Sequence, residues 1–178
     1  MVENPEKLNT QAIDFASKGE YTEAIACFKR ALTIEKNNHF LWFNLGVTYR
    51  DAGKLQKAKE ALLVAYKLQD SDEDIIGTLA HVCFLMNELE DALAFCAEGL
   101  DLNCQNAHLW NNSGVIFFSK GEYETACESF ERAVMIDPNY YDALYNLRDT
   151  YEQLGNKNGV KECAEKLKTL SQGGAYAK

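Results

Sequence analysis

The sequence contains 178 residues, of which 47% are hydrophobic, and this composition excludes an intrinsically disordered chain. Its formal net charge of −9 argues against nucleic acid as the main partner, because phosphate binding needs a basic surface. The first residues lack the basic start and apolar run of a signal peptide, and no stretch approaches the roughly eighteen apolar residues of a membrane span. These features predict a cytoplasmic protein without membrane insertion.

Pairs of amphipathic helices are predicted along the chain. The first helix of each pair is expected near residues 5–18, 39–52, 73–86, 107–120 and 141–154. A second helix follows each first helix after a short turn, and the last of these is expected near residues 157–170. Only two prolines occur, Pro5 and Pro138, so almost nothing interrupts the helices. The sequence therefore predicts an all-α protein.

A column of glycines recurs with a spacing of 34 residues, directly after the predicted first helices. Its members are Gly19, Gly53, Gly121 and Gly155, and Asn87 occupies the missing place. The residue just past a helix end often takes a left-handed conformation, in which Gly is free of strain and Asn is the next best residue. The column therefore predicts where each first helix ends.

Two further columns keep the same spacing. Small residues on the second helices face small residues on the first helices, which allows two backbones to approach closely: Ala24, Ala58, Ala92 and Ala126 against Ala12, Gly46, Ala80 and Gly114. Trp42 and Trp110 lie two periods apart. This W-x-x-L-G-x-x-Y…A…F…A pattern, best preserved over residues 42–49 and 121–126, resembles the tetratricopeptide repeat.

The resemblance implies a right-handed α-solenoid of five tandem helix-turn-helix units. The expected units are residues 5–38, 39–72, 73–106, 107–140 and 141–174, followed by a disordered tail at residues 175–178. The fifth unit departs from the pattern, with Arg148 in the small-residue column and Lys157 in an aromatic column. Terminal repeats face water on one side and are often atypical, so this unit is expected to act as a cap.

In tetratricopeptide solenoids the first helices line a concave groove, and the resemblance implies which residues project into it. The positions are apolar and aromatic for an exposed face: Asn9, Ile13, Phe40, Phe43, Val47, Arg50, His81, Phe84, Leu85, His108, Asn111, Val115, Phe118 and Tyr145. Asn44, Asn112 and Asn146 add a row that resembles an asparagine ladder for a peptide backbone. The alternatives are that the apolar side chains pack on one another or against the tail after residue 170, and that the asparagines bond only to neighbouring turns.

An acidic band occupies the centre of the sequence, since no Lys or Arg occurs between Lys67 and Lys120. That interval holds Asp70, Asp72, Glu73, Asp74, Glu88, Glu90, Asp91, Glu98 and Asp101. The band predicts a partner that carries an apolar stripe flanked by Lys or Arg. A solvated surface that aids solubility is the alternative interpretation.

No sequence pattern indicates catalysis, and no catalytic, cofactor-binding or metal-binding residue is predicted. The spacing of Cys96, Cys104 and His108 fits no zinc pattern, and the six cysteines are expected to be reduced, mostly buried thiols. The sequence thus predicts a non-enzymatic scaffold that binds a partner peptide or helix in the groove. The alternative is a self-assembling structural protein that docks its own terminal segment there.

Overall fold

A computed structural model describes residues 4–172, and this range is all-α, as predicted. It contains ten helices and no strand: α1 Pro5–Ser17, α2 Tyr21–Ile34, α3 His39–Asp51, α4 Leu55–Leu68, α5 Glu73–Leu85, α6 Leu89–Leu102, α7 Ala107–Ser119, α8 Tyr123–Ile136, α9 Tyr141–Gln153 and α10 Lys157–Gln172. The predicted first helices α1, α3, α5, α7 and α9 each end one residue earlier than expected, and α10 ends two residues later. The predicted tail, residues 175–178, lies outside the described range.

Four of the first helices begin at a capping residue. The side chains of Asn4, Asn38, Asp72 and Asn106 accept hydrogen bonds from backbone N–H groups of the first helical turn, at 2.8–3.3 Å. Such caps satisfy donors that have no partner inside the helix. Tyr140 occupies the fifth place and makes no side-chain cap hydrogen bond. The start of the fifth helix pair is therefore built differently from the other four.

The predicted end of each first helix is confirmed by its backbone. The four glycines of the column have φ between 70° and 77°, and Asn87 has φ 61°. Asn87 is the one non-glycine residue with a positive φ in the described range. A left-handed turn therefore separates the first and second helix in every pair, and the amide of Asn87 tolerates it where glycine is missing.

The two helices of a pair touch through the predicted small residues. Ala24, Ala58, Ala92 and Ala126 are fully buried. A methyl group added at Gly46 would lie 2.6 Å from Cγ of Leu62, and one added at Gly114 would lie 2.6 Å from the ring of Phe130. Real Cβ atoms do not approach neighbours this closely, so the glycines are what allow the large side chains to fill the space beside them.

Each of the two tryptophans forms a hydrogen bond to the turn that precedes its own helix. The indole N–H of Trp42 donates to the carbonyl oxygen of Lys36 at 2.7 Å, and that of Trp110 donates to the carbonyl oxygen of Cys104 at 2.9 Å. Both rings are half-buried rather than central to the core. The tryptophans therefore join each second helix to the next first helix by a hydrogen bond as well as by packing.

The described chain divides into two compact units within α6. The first unit ends at Phe95 and the second begins at Cys96. Phe28, Leu62 and Leu79 are buried in the core of the first unit, and Phe130 and Leu144 in the core of the second. Among the described helices, none combines the length and apolar character needed to cross a bilayer.

Replacing Asn87 tests the left-handed turn. We expect Asn87→Ala to lower the free energy of unfolding by about 1 kcal/mol, because an alanine Cβ strains a positive φ. Asn87→Gly is expected to leave that free energy unchanged within about 0.5 kcal/mol or to raise it slightly. Urea denaturation measures both. Equal stability of the two variants would contradict the backbone assignment.

Filling the contact beside Phe130 tests the helix-pair packing. Gly114→Val is expected to destabilise the protein by about 1–3 kcal/mol, because the added methyls overlap a buried ring. Glu128→Val places the same side chain at an exposed position of α8 and serves as the control. Thermal unfolding of both variants measures the difference. A Gly114→Val protein as stable as the control would show that the ring has room to move.

Candidate protein-binding site

The predicted groove residues of the first unit lie on α1, α3 and α5, and all are exposed or half-buried. We call this set the groove face of the first unit: Asn9, Ile13, Phe40, Phe43, Asn44, Val47, Arg50, His81, Phe84 and Leu85. Its most exposed apolar side chains are Phe40 at 63%, Ile13 at 48% and Leu85 at 45%. Three helices thus each expose a large apolar side chain within one compact unit.

The predicted groove residues of the second unit lie on α7 and α9. This groove face of the second unit comprises His108, Asn111, Asn112, Val115, Phe118, Tyr145 and Asn146. Tyr145 is 44% exposed, whereas Asn111 is buried at 7%. The amide of Asn111 is therefore a structural group, and the aromatic ring of Tyr145 is the accessible apolar surface on α9.

Some apolar side chains of the groove faces also pack against the hydrophobic cores. Phe43 packs against the core of the first unit, and Val115 and Phe118 pack against the core of the second. The ring of Phe118 meets the ring of Tyr123 edge to face, with centroids 5.1 Å apart. The alternative interpretation, in which these side chains pack within the protein, thus accounts for part of the set. It does not account for Phe40, whose ring is mostly exposed.

Two of the three asparagines of the predicted row bond to an asparagine of the preceding first helix. Nδ2 of Asn44 donates to Oδ1 of Asn9 at 3.2 Å, and Nδ2 of Asn146 donates to Oδ1 of Asn111 at 3.0 Å. Each pair spans two successive first helices, because its members are 35 residues apart. These amides therefore join neighbouring repeats, a role that the ladder interpretation did not include.

The cationic groups of the groove faces interact with neighbouring side chains. Arg50 bonds to Oδ1 of Asp51 from both Nε and Nη2, at 2.9 and 2.8 Å. Burial, and then the positive charge of Arg50, lowers the pKa of His81 below its usual value, so this imidazole is neutral at pH 7. The groove face of the first unit therefore offers an apolar surface with little free positive charge.

Two contacts order the side chains near the groove face of the second unit. Nδ1 of His108 lies 2.8 Å from the hydroxyl of Tyr140, which joins the start of α7 to the residue before α9. The guanidinium of Arg148 lies over the ring of Tyr145, 4.1 Å from its centroid, and also bonds to Asp149. Tyr145 is thus held in place on one side while its ring stays exposed on the other.

The acidic band is partly neutralised by a lysine from the preceding helix pair. Nζ of Lys59 bonds to Glu88 at 2.5 Å and to Asp91 at 3.1 Å. The hydrogen bond to Glu88 is the main cause of the raised pKa of Lys59, so the ammonium stays charged at pH 7. A third acid, Asp72, caps α5. The band is therefore less acidic in the folded protein than its sequence indicates.

Cys83, Glu88 and Asp91 form the group closest to metal-site geometry within residues 4–172, with ligand atoms within 4.8 Å of one another. The ammonium of Lys59 already bonds both carboxylates. Burial raises the pKa of Cys83 to about 11, so its sulfur is a protonated thiol at pH 7 and a poor ligand. The group is therefore explained as an ion-pair cluster.

The remaining cysteines agree with the sequence-based expectation. Five of the six are buried and all six are free, and Cys104 is the exposed one. Ser113, a polar residue in a buried column, donates its hydroxyl to the carbonyl oxygen of Leu109 at 3.0 Å within its own helix. The five buried thiols and the hydroxyl of Ser113 are therefore part of the packed interior, and Cys104 lies at the surface.

Comparison with protein families decides the assignment. A TPR repeat model matches residues 14–53 and 114–155, and a tetratricopeptide repeat model matches residues 41–72. Together the matches cover more than half of the chain. The chain belongs to the tetratricopeptide repeat family. Tetratricopeptide proteins are generally non-catalytic scaffolds, so the family supports a role in protein–protein interaction.

Curated proteins are similar in sequence to most of this chain. The BBSome complex member BBS4 homolog of Drosophila melanogaster is 28% identical over 134 residues, which are 74% of this chain and 27% of that protein. The chain thus spans about a quarter of the length of the curated relatives it matches.

Solved structures show the same fold. The crystal structure of MamA superimposes with a TM-score of 0.79 at 24% identity, over 92% of this chain and 96% of that chain. YrrB, described as a tetratricopeptide protein with an unusual peptide-binding site, gives a TM-score of 0.68 at 21% identity, over 92% and 84% of the two chains.

Removing Lys59 tests the neutralised part of the acidic band. We expect Lys59→Met to destabilise the protein by about 1–2 kcal/mol at pH 7, because two carboxylates lose their hydrogen-bonded cation. Since the folded pKa lies above the ordinary 10.5, this contribution is fully present below pH 10.5 and is lost as pH rises through the raised value. Denaturation as a function of pH measures the loss.

Lys161→Met is the control for that experiment, because the side chain of Lys161 is 78% exposed and lies 4.0 Å from Glu165. Its effect is expected to stay within about 0.5 kcal/mol. Equal effects of the two substitutions would show that the Lys59 cluster contributes no more than a surface ion pair.

Proposed function

We propose that this protein is a non-catalytic interaction scaffold that holds a segment of a partner protein against the groove face of the first unit. The observation that supports this most strongly is the exposure of Phe40, Ile13 and Leu85 on three successive first helices. Large apolar side chains gathered on one face mark binding surfaces, and aromatic residues contribute most to interface energy.

The partner segment is a peptide or helix with an apolar stripe. Phe43 packs against the core and holds the groove face in a fixed conformation, while the exposed ring of Phe40 is available to contact a partner. Preformed surfaces bind with less loss of conformational entropy than mobile ones. YrrB, a structural relative described as having an unusual peptide-binding site, supports a peptide ligand for this fold.

Basic residues are expected beside that apolar stripe. Asp70 and Asp74 remain exposed next to the start of α5, whereas Glu88 and Asp91 bond to Lys59. Arg50, the cation of the groove face, bonds to Asp51. A partner with Lys or Arg near its apolar residues would therefore be attracted to this side of the unit.

We also propose a cytoplasmic location and no role in nucleic-acid binding or membrane insertion. Five cysteines are buried as free thiols, which a reducing compartment preserves. The net charge of −9 opposes binding to phosphate backbones.

Affinity capture from the native cell lysate, with mass spectrometry, tests the binding surface. The Phe40→Ser/Ile13→Ser/Leu85→Ser variant removes exposed apolar groups without touching the core, so it is expected to fold and to lose the specific partner. A matched control, Ile34→Ser/Leu102→Ser/Met135→Ser, changes equally exposed apolar residues on second helices and is expected to retain it.

The outcomes of the capture experiment separate the alternatives. A partner lost from the groove variant and kept by the control supports the proposal. Equal capture by both variants would move the binding site off the groove face. Recovery of this chain alone, with a concentration-dependent dimer that the groove variant abolishes, would favour self-assembly instead.

The acidic residues give a separate prediction for the captured partner. Its association rate constant is expected to fall as salt rises from low to physiological ionic strength, because exposed charges are screened. Asp70→Asn/Asp74→Asn is expected to reduce that dependence. Stopped-flow fluorescence measures the association rate constant. A rate constant that is independent of salt would show that these charges do not steer the partner.

A further inference from the structure

A second concave surface in the first unit lies between α2 and α4, with α3 as its floor. We call it the notch. Its volume is about 800 Å³, and its lining includes Trp42, Leu45, Tyr49, Leu32 and Val64. This size is in the range of cavities that hold a ligand or a large side chain with its flanking backbone.

The notch and the groove face use opposite sides of α3. With 3.6 residues per helical turn, residues 42, 45 and 49 lie on one side of the helix, and residues 40, 43 and 47 lie on the other. A molecule in the notch would therefore leave the groove face of the first unit unobstructed. The two surfaces can be tested independently.

Three lysines surround the apolar floor of the notch. Lys29 and Lys36 come from α2 and the turn after it, and Lys57 comes from α4. All three are exposed, and none forms an ion pair with a residue in the described part of the chain. Glu60 is the acidic residue of the lining. The notch is thus a positively charged site in a protein whose net charge is −9.

The corresponding place in the second unit serves as an internal comparison. The residues three repeats after those of the notch, apart from Gly159, line a smaller cavity of about 280 Å³ between α8 and α10. In that lining Glu131 stands at the position of Lys29, Pro138 at that of Lys36 and Lys166 at that of Val64. Gly159, three repeats after Lys57, carries no side chain that could replace the third lysine. The basic character of the notch is therefore a property of the first unit and not of the repeat.

The tyrosine on the floor differs between the two places. In the second unit the hydroxyl of Tyr151 donates to Oε1 of Glu131 at 2.7 Å, and both residues line the smaller cavity. The equivalent Tyr49 makes no side-chain hydrogen bond within residues 4–172, and no buried polar side-chain atom there lacks a partner. Tyr49 is 6% exposed and lines the notch, so its hydroxyl is left to bond to a ligand that reaches the floor.

We infer that the notch binds an acidic segment of a partner protein, in which carboxylates flank one large apolar side chain. The apolar side chain would contact Trp42, and the carboxylates would bond to Lys29 and Lys36. Charge complementarity selects this occupant, because three unpaired cations surround an apolar floor. The site is additional to the groove face and favours a partner of opposite charge to the one proposed there.

A random peptide library displayed on phage tests the inference. Selection on the wild-type protein, with removal of phage that also bind Lys29→Glu/Lys36→Glu, is expected to enrich sequences with Asp or Glu beside Leu, Phe or Trp. A selected peptide, synthesised with a fluorescent label, is expected to bind the charge-reversed variant at least about tenfold more weakly than the wild type.

Trp42 supplies a readout at the site itself. The chain has two tryptophans, so Trp110→Phe leaves Trp42 as the only indole. Addition of the selected peptide to Trp110→Phe is expected to shift the emission of Trp42 to shorter wavelength, as the half-exposed ring is covered. The shift is expected to disappear in Trp110→Phe/Lys29→Glu/Lys36→Glu.

Two control variants keep this test separate from that of the groove face. Lys166→Glu reverses a charge in the second unit's cavity, and Phe40→Ser/Leu85→Ser alters the groove face; both are expected to bind the selected peptide within twofold of the wild type. Absence of acidic enrichment, or loss of binding only in the groove variant, would overturn the inference. A wild-type dimer that Lys29→Glu/Lys36→Glu abolishes would overturn it too, in favour of a second copy as the occupant.

Discussion

The close contact between the two helices of each pair is the constraint on which the rest of the structure depends. Gly46 and Gly114 lie so near Leu62 and Phe130 that a single methyl group would overlap them. Because the backbones of the two paired helices lie so close together, the larger side chains of the first helix do not fit between them. Those side chains therefore pack around the contact or remain exposed on the two sides of the first helix, and these two sides are the candidate binding surfaces.

The sequence predicts the helices and their ends well because those features depend on local chemistry. A left-handed residue is needed after each first helix, and Asn87 fulfils that need where glycine is missing. The hydroxyl of Ser113 bonds within its own helix for a similarly local reason. The capping column that begins with Asn4 shows the same 34-residue spacing and could have been recognised in the sequence by the same argument.

The candidate sites were harder to predict, because they depend on contacts between residues far apart in the chain. Lys59 lies outside the interval without basic residues, yet it bonds to acids 29 and 32 residues later. Phe40 and Phe43 are both predicted groove residues of α3, but one ring is exposed and the other packs on the core. The notch is formed by side chains of α2, α3 and α4 that are far apart in the sequence and come together only in the folded chain.

Photocrosslinking inside native cells tests the central claim, that a first-helix face holds the partner, most directly. Benzoylphenylalanine placed at Phe40 is expected to form a covalent product with one specific protein, because this side chain is 63% exposed on the groove face. The same group placed at Lys161, exposed on α10, is expected to form none. A product at Lys161 and none at Phe40 would contradict the account.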